Sequence, residues 1–141
     1  MAQRSSHSSL LVLDFDFTLA AVNVLPPGGG GIVVDGKLVP DLWSNVVDNA
    51  FGGAARVQAL DALFTDLTAR GIQLAICSYN AGKVIRKALR TVKLNQHFAD
   101  DRILGADTFE VIKSLSVDGR WRKDLCIKRC YLHGLSCQLI A

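Results

Sequence analysis

The chain has 141 residues, 50% of them hydrophobic and 21% charged, and a formal net charge of +3 at pH 7. This length suits one domain, the apolar content excludes overall disorder, and so small a charge does not support nucleic-acid binding. No apolar stretch is long enough to span a bilayer, and Asp14 and Asp16 interrupt the N-terminal apolar run, which excludes the core of a secretory signal. We therefore expect a cytoplasmic protein with neither a nucleic acid nor a membrane as partner.

The first part of the chain predicts a loose tail, a buried strand and a hairpin. Residues 1–9 are polar and rich in Ser, which is typical of a terminal tail. Residues 10–13 form a continuous apolar run, as in a strand that is buried on both faces of a parallel sheet. After a glycine-rich loop, residues 32–39 predict a β-hairpin, because Asp35 and Gly36 lie between two apolar runs.

A short helical turn carrying Leu42 and Trp43 is predicted next, followed by two helices and two strands. The helices cover residues 54–70 and 81–93, and the strands cover residues 72–77 and 102–105. The apolar stripe of the first helix consists of Val57, Leu60, Leu63, Phe64 and Leu67, and that of the second of Val84, Ile85, Ala88, Leu89 and Val92.

Alternating strands and helices favour a parallel sheet with right-handed crossovers. In such sheets ligands bind beyond the carboxyl ends of the strands. Asp14 follows the first strand and Ser78 follows the second, so we expect both side chains at one crevice. Ser78 also fits a role as N-cap of the helix at 81–93, and the backbone N–H groups at that helix start favour phosphate.

Asp14 and Asp16 are the most informative residues of the sequence. Both carboxylates face one pocket if the chain bends there, with Phe15 and Phe17 pointing back into apolar surroundings. A carboxylate is a competent nucleophile toward phosphorus, and Mg²⁺ takes hard oxygen ligands that it shares with a substrate phosphate. For a bare pair of this spacing, two surface aspartates at a strand-to-loop turn would be the simpler interpretation.

The segment from Leu11 to Leu19 resembles the first motif of the haloacid dehalogenase (HAD) superfamily, D-x-D-x-T preceded by hydrophobic residues. This resemblance implies that Asp14 is the nucleophile that becomes phosphorylated and also a ligand of Mg²⁺. It implies that Asp16 is the general acid and then the general base, with its backbone carbonyl on the metal. Thr18 is assigned to the substrate phosphate.

Residues 72–78 resemble the second motif of the family, which implies that Ser78 hydrogen-bonds the transferring phosphoryl group and that Asn80 assists. The third motif is a Lys that neutralises charge between nucleophile and phosphate. Lys123 is preferred to Lys113 for this role, because Lys123 opens an apolar segment.

The fourth motif of the family, an acidic pair after the Lys, is missing, because no Asp or Glu follows Asp124. Asp100 and Asp101 precede the third predicted strand and are interpreted as a solvated turn. Residues 129–141 look unlike the expected strand and are interpreted as an atypical tail. This leaves open whether the last strands of the sheet are absent through truncation or an altered reading frame.

Together these features predict an α/β fold: one HAD-like domain over residues 1–141, a Rossmannoid three-layer sandwich around a central parallel sheet. Residues 26–45 form a small cap insert, as in the magnesium-dependent phosphatase group. The resemblance implies an Mg²⁺-dependent phosphatase that acts on a phosphorylated small molecule or a phosphoprotein. The alternative is a catalytically impaired HAD-like binding domain. A missing strand would expose a sheet edge, through which a dimer could form.

A third and weaker hypothesis is a small zinc- or nucleic-acid-binding module. It is suggested by basic residues and by a group of thiols and one imidazole near the end, Cys126, Cys130, His133 and Cys137. Their spacing matches none of the common structural zinc sites, so ordinary thiols are favoured over zinc ligands. Together with Cys77 we expect these cysteines to be reduced in a cytosolic protein.

Overall fold

The structure, a computed structural model, describes residues 9–108 and the backbone of residues 136–140. In chain order its regular elements are β1 (Ser9–Leu13), β2 (Ile32–Val34), β3 (Lys37–Val39), α1 (Val46–Phe51), α2 (Ala54–Ala69), β4 (Gln73–Cys77), α3 (Gly82–Thr91), β5 (Ile103–Leu104) and β6 (Ser136–Ile140). Four of the strands form one parallel sheet in the order β5-β4-β1-β6. The prediction of an α/β fold with a parallel sheet is confirmed.

The predicted first strand lies inside the sheet. β1 pairs with β4 on one side and with β6 on the other, so that Leu13 is opposite both Ile76 and Ile140. Leu10 and Val12 are only 2% and 1% exposed. Because consecutive side chains of a strand point to opposite faces and those of Leu10 to Leu13 are all buried, β1 has no polar face, which explains its uninterrupted apolar run.

The predicted apolar stripe is confirmed for α3, and for α2 it is confirmed at most of its positions. All five stripe residues of α3 are buried. In α2, Phe64 is buried and Val57, Leu60 and Leu67 pack against the core, but Leu63 is 49% exposed. Neighbouring helix positions lie about 100° apart, so Leu63 is turned away when Phe64 faces the core. The prediction that Leu63 belongs to the buried stripe is wrong.

A short helix, α1, was not predicted from the sequence. Its start is marked by Asn45, whose side chain accepts a hydrogen bond from the Asp48 N–H at 3.2 Å. Its end is marked by Gly52 in the left-handed conformation, with φ of 77°. Ala50 and Phe51 are fully buried. An Asn cap and a closing Gly are start and stop signals that the sequence does contain.

The predicted insert at residues 26–45 contains the predicted hairpin and helical turn. β2 and β3 pair in antiparallel register around Asp35 and Gly36, which have φ of 49° and 74°. Two consecutive positive φ values are the mirror-image turn that favours Asp-Gly. The helical turn, Leu42–Asn45, is capped by Asp41, whose carboxylate accepts from the Trp43 N–H at 3.0 Å.

Trp43 fastens the insert to the rest of the fold. Its Nε1 donates to the Leu25 carbonyl at 2.9 Å, and the Lys87 Nζ of α3 lies 4.7 Å from the centre of its ring. The first contact joins the insert to the residue just before it, and the second is a cation–π contact with α3.

β6 corrects the interpretation of residues 129–141 as a tail without a strand. The backbone of Ser136–Ile140 pairs in parallel with β1 over the whole of β1. This short segment has no long apolar run, and a pairing with a strand so distant in sequence leaves no local signal. At the other terminus β1 begins at Ser9, one residue inside the predicted tail at 1–9.

Several predictions fall outside the described part of the chain. They concern Lys113, Lys123, Cys126, Cys130 and His133. Of Cys137 only the backbone is described, opposite Leu10. Within residues 9–108 and 136–140, none of the helices combines the length and apolar character needed to cross a membrane.

Candidate functional site

Asp14 lies at the carboxyl end of the central strand, as predicted. It directly follows Leu13, the last residue of β1, and has an extended backbone with φ of −75° and ψ of 161°. Its Oδ1 accepts a hydrogen bond from the Phe15 N–H at 2.8 Å, and the residue is half-buried. The carboxylate is therefore held at the edge of the sheet where ligands of parallel α/β folds bind.

The chain then makes a tight turn over Phe15–Leu19. The Ala20 N–H closes it with a hydrogen bond of 2.9 Å to the Phe15 carbonyl. Phe15 points into the core, as predicted, and packs edge-on against Phe51 with ring centres 6.2 Å apart. Phe17 does not: its φ is 58° and its side chain is 74% exposed. The left-handed backbone at Phe17 turns the ring outward, so the prediction that both rings point inward is wrong for Phe17.

Asp16 is held by two hydrogen bonds to a single oxygen. Its Oδ1 accepts from the Val24 N–H at 2.9 Å and from the Asn80 Nδ2 at 3.1 Å. Burial raises the pKa of Asp16 above its ordinary value; the bonds from Val24 and Asn80 oppose this shift, and the negative charge of Asp14 adds to it. The two carboxylates are thus near enough to interact, and Asp16 retains its proton to higher pH than an ordinary aspartate.

Ser78 directly follows β4, the strand next to β1, and is 1% exposed. Its N–H donates to the Leu104 carbonyl at 2.9 Å, and its Oγ accepts from the Asn80 N–H at 3.1 Å. Accepting this bond leaves the hydroxyl hydrogen of Ser78 to donate to another group. Ser78 is not the N-cap of α3, because that position is occupied by Ala81.

Asn80 contacts the loop that carries Asp16. Besides Asp16, its Nδ2 donates to the Val24 carbonyl at 2.7 Å, and its Oδ1 accepts from the Ala81 N–H at 2.8 Å. Both hydrogens of the side-chain amide are therefore used to join the end of β4 to the Asp16–Val24 loop. Contact of Asn80 with a phosphate stays a prediction, while the contact that is present positions Asp16.

Asp107 takes the place that was expected for phosphate at the start of α3. Its Oδ1 accepts from the Gly82 N–H at 2.7 Å, and its Oδ2 accepts from the Lys83 N–H at 3.3 Å. Burial alone would raise the pKa of Asp107, but these hydrogen bonds and the charge of Arg86 lower it overall. These two N–H groups are therefore occupied by Asp107, and the general preference of a helix start for phosphate stays a prediction at α3.

Gly105 allows the Asp107 segment to approach α3 this closely. A Cβ at Gly105 would overlap the Gly82 nitrogen and lie 2.5 Å from the Asn80 carbonyl oxygen. In the same segment the Ala106 N–H donates to that carbonyl at 2.8 Å. Any side chain at Gly105 would therefore displace Asn80 and, through it, Asp16.

Arg56 was not predicted as part of the site, yet it holds the turn that follows Asp14. From α2, its Nη2 donates to the Thr18 carbonyl at 2.8 Å, and its Nη1 donates to the carbonyls of Leu19 at 2.6 Å and Phe51 at 3.1 Å. The planar guanidinium suits several acceptors at once. The structure thus assigns a role to the Thr18 carbonyl, and the contact of Thr18 with a phosphate stays a prediction.

The carboxylates of Asp14 and Asp16 fit the donor set of an Mg²⁺ site. Mg²⁺ is commonly bound by one or two carboxylates, with substrate phosphate and water completing the octahedron. Since Oδ1 of Asp16 already accepts two hydrogen bonds, the Asp14 carboxylate is the better suited of the two. The Asp16 backbone carbonyl as a second ligand stays an expectation from the resemblance to the HAD motif. No group of three or more His, Cys, Asp or Glu side chains within the described ranges could hold a metal by itself.

The acidic pair Asp100 and Asp101 lies in an exposed turn, as predicted. The Asp100 side chain is 83% exposed and lies 3.5 Å from the Arg86 Nε. Asp100 therefore lies at the surface near β5, beside Arg86.

Comparison of the chain with protein-family models, with curated proteins and with solved structures found no match.

Proposed function

We propose that the chain is an Mg²⁺-dependent phosphohydrolase of the HAD type, which cleaves phosphomonoesters through an aspartyl-phosphate on Asp14. The main support is the juxtaposition of Asp14 and Asp16 at the carboxyl end of the central parallel strand, beside Ser78 at the end of β4. An acid needs a protonated carboxyl group, and the burial that raises the pKa of Asp16 suits it to that role.

In the first half-reaction an oxygen of Asp14 forms a bond to phosphorus as the bond from phosphorus to the leaving oxygen breaks. Asp16 gives its proton to that leaving oxygen. In the second half-reaction Asp16 takes a proton from water, whose oxygen attacks the same phosphorus and releases Asp14 and inorganic phosphate. Because Val24 and Asn80 fix Oδ1 of Asp16, Oδ2 is the oxygen that exchanges the proton.

The other residues of the site bind and orient. In this proposal the Ser78 hydroxyl donates to a phosphoryl oxygen, and Arg56 fixes the turn between Asp14 and Thr18. When bound, Mg²⁺ would neutralise phosphoryl charge and so let an anionic nucleophile approach an anionic substrate. The charge-neutralising Lys is assigned to Lys123, with Lys113 as the alternative.

The second candidate is a HAD-like domain that binds a ligand without turning it over. It is favoured by the composition of the chain after Asp124, which contains no Asp or Glu. β6 pairs in parallel with β1, but its sequence contains no Asp or Glu that could add a carboxylate to the site. A site with fewer carboxylates would hold Mg²⁺ more weakly.

Hydrolysis of p-nitrophenyl phosphate with and without Mg²⁺ tests the proposal. We expect Mg²⁺-dependent release of nitrophenol, reduced at least about a thousandfold in Asp14→Asn, since loss of a covalent nucleophile removes the main reaction path. The exposed Asp101→Asn is the matched control and should retain its activity. A purified, folded protein that is inert with every divalent metal would reject the phosphatase and support the binding domain.

A further inference from the structure

A cavity of about 430 Å³, lined in part by the residue that follows Asp16, is not used by the mechanism. It opens between the hairpin, the end of α1 and the loop that follows Asp16, and its walls include Phe17, Val22, Asp35, Asp48 and Gly53. Small-molecule sites have volumes of about 300–1,000 Å³, so the cavity is large enough for the leaving group of a small substrate.

The charge of the wall is negative. Asp35 at the hairpin turn and Asp48 in α1 both line the cavity, and none of its described lining residues is Lys or Arg. One oxygen of Asp48 accepts from the Asn45 Nδ2 at 2.7 Å. The other lies 3.8 Å from the position that a Cβ on Gly53 would occupy, so the absence of a side chain at Gly53 leaves room in front of it. A cation fits such a wall better than a neutral group or an anion.

Phe17 adds an aromatic face to the same cavity. Its ring is 74% exposed, and its backbone has a φ of 58°, which a bulky residue adopts only when the surrounding structure imposes it. The turn therefore holds a large apolar ring in solvent instead of in the core. An exposed aromatic face beside carboxylates is the arrangement that recognises ammonium groups.

The wall of the cavity is adjacent along the chain to the reacting groups. Phe17 is the residue after Asp16, and its N–H donates to the Val22 carbonyl at 3.4 Å. Two residues later, the Val24 N–H binds the Asp16 carboxylate. A leaving group whose oxygen receives the proton of Asp16 would thus have its far end near Phe17, Asp35 and Asp48.

We propose that this cavity is a subsite for a cationic leaving group, so that the preferred substrates are small phosphomonoesters carrying an ammonium group a few bonds from the phosphate. The inference rests on the proposed phosphatase function and deepens it. The ammonium lies between the ring of Phe17 and the carboxylates of Asp35 and Asp48.

The decisive comparison uses O-phosphocholine and its neutral isostere, 3,3-dimethylbutyl phosphate, which differ only by nitrogen and carbon at one position. We expect kcat/KM to be about tenfold higher for O-phosphocholine, as the sum of one cation–π contact and two exposed charge contacts. The preference should decrease as ionic strength rises. Equal kcat/KM values for the two esters would overturn the inference and leave the phosphatase proposal intact.

Substitutions of the cavity residues test which side chains cause the preference for the cationic ester. Asp48→Asn and Asp35→Asn should each reduce the ratio of the two kcat/KM values about threefold, and Phe17→Leu should do the same, while Phe17→Tyr retains it because the ring face remains. A ratio unchanged in all of these variants would also overturn the inference.

A binding measurement keeps the inference testable if no ester is hydrolysed, a result that would reject the phosphatase. In two-dimensional NMR of the full chain, choline should shift the amide signals of Phe17, Asp35 and Asp48, and 3,3-dimethylbutan-1-ol should not. Absence of choline-specific shifts at these residues would overturn the subsite as well.

Discussion

The Asn80 side chain connects the end of β4 to the Asp16 loop through two donated hydrogen bonds, of 3.1 Å to Asp16 and 2.7 Å to Val24. The bond to Asp16 stabilises the ionised carboxylate and so opposes the rise in the pKa of Asp16 that burial produces. Asn80 is therefore a positioning residue whose removal affects the pH dependence of the reaction as well as its rate.

We expect Asn80→Ala to reduce kcat/KM for p-nitrophenyl phosphate about tenfold or more and to move its alkaline limb to higher pH. The sign follows because Asp16 must be protonated to act as acid, and loss of the Asn80 bond raises the pKa of Asp16 further. A pH–rate profile measures both effects, with the exposed Asn95→Ala as control. A rate loss that is equal at every pH would show a merely structural role.

The same carboxyl group links stability to pH. The folded chain holds the proton of Asp16 more tightly than the unfolded chain does, because burial raises its pKa above 3.8. The stabilisation from this group is thus complete below the unfolded value and is lost as pH rises through the folded value.

Asp16→Asn keeps an Oδ1 that accepts from Val24 and Asn80 but removes the charge. We expect this variant to have a higher free energy of unfolding than the parent at pH 7. The difference in free energy should vanish well below pH 3.8, where Asp16 of the parent is protonated in both the folded and the unfolded chain. Urea unfolding at the two pH values measures this, with Asp101→Asn as control. A variant less stable than the parent at pH 7 would contradict the assigned desolvation.

At the scale of elements, α2 stabilises the turn after β1 by means of Arg56. The guanidinium reaches three carbonyls, of Thr18, Leu19 and Phe51, and so connects that turn to the end of α1. Lys carries the same charge but lacks the planar fork and cannot serve these acceptors together.

Arg56→Lys should lower the free energy of unfolding by about 2 kcal/mol, because hydrogen bonds from a charged donor are lost at half-buried carbonyls. The same substitution at Arg70, the residue that caps the end of α2, should change the free energy of unfolding by less than about 0.5 kcal/mol. The side chains of Arg70 and Asp66, which form an ion pair, are 68% and 54% exposed. Chemical denaturation of the two variants and the parent measures these changes in the free energy of unfolding. Equal effects would show that the Arg56 contacts contribute no more than a surface ion pair.

At the scale of the whole molecule, the parallel sheet and the hairpin differ in how they are supported. β1 has neighbours on both sides and is buried, whereas β2 and β3 pair only with each other among the described strands. Val33 and Leu38 of the hairpin are 65% and 72% exposed.

We expect the amides of β1 to exchange with solvent only on global unfolding, and those of the hairpin at least about a hundredfold faster through local opening. Hydrogen–deuterium exchange followed by mass spectrometry on the full chain resolves the two segments. Equal protection would mean that the hairpin is held by contacts beyond its own pairing and the anchor at Trp43.

The elements that could be predicted from the sequence are those with local signals. β1 and β4 are continuous apolar runs, α3 has the spacing of one buried helix face, and the hairpin has an Asp-Gly turn. The end of β1 also located Asp14 correctly, because a polar residue directly after a buried strand lies at the carboxyl edge of the sheet.

The contacts that could not be predicted join residues far apart in sequence. Asp107 caps α3 from 25 positions away, and Arg56 reaches a carbonyl 38 positions earlier. β6 pairs with β1 from the opposite end of the described chain. Such bonds depend on the fold and leave no periodicity, so the positioning of Asp16 and the outward ring of Phe17 became evident only from the structure.

The strand order also has a consequence for biosynthesis. A ribosome makes β1 first, and β4 emerges early enough to cover one side of it, but the other side waits for Ser136–Ile140. Until Ser136–Ile140 has been made, the nascent chain therefore carries unpaired backbone N–H and C=O groups along one edge of β1, a strand with apolar side chains. A chaperone would therefore protect the nascent chain best by binding at that edge, where two nascent copies on one polysome would most readily associate.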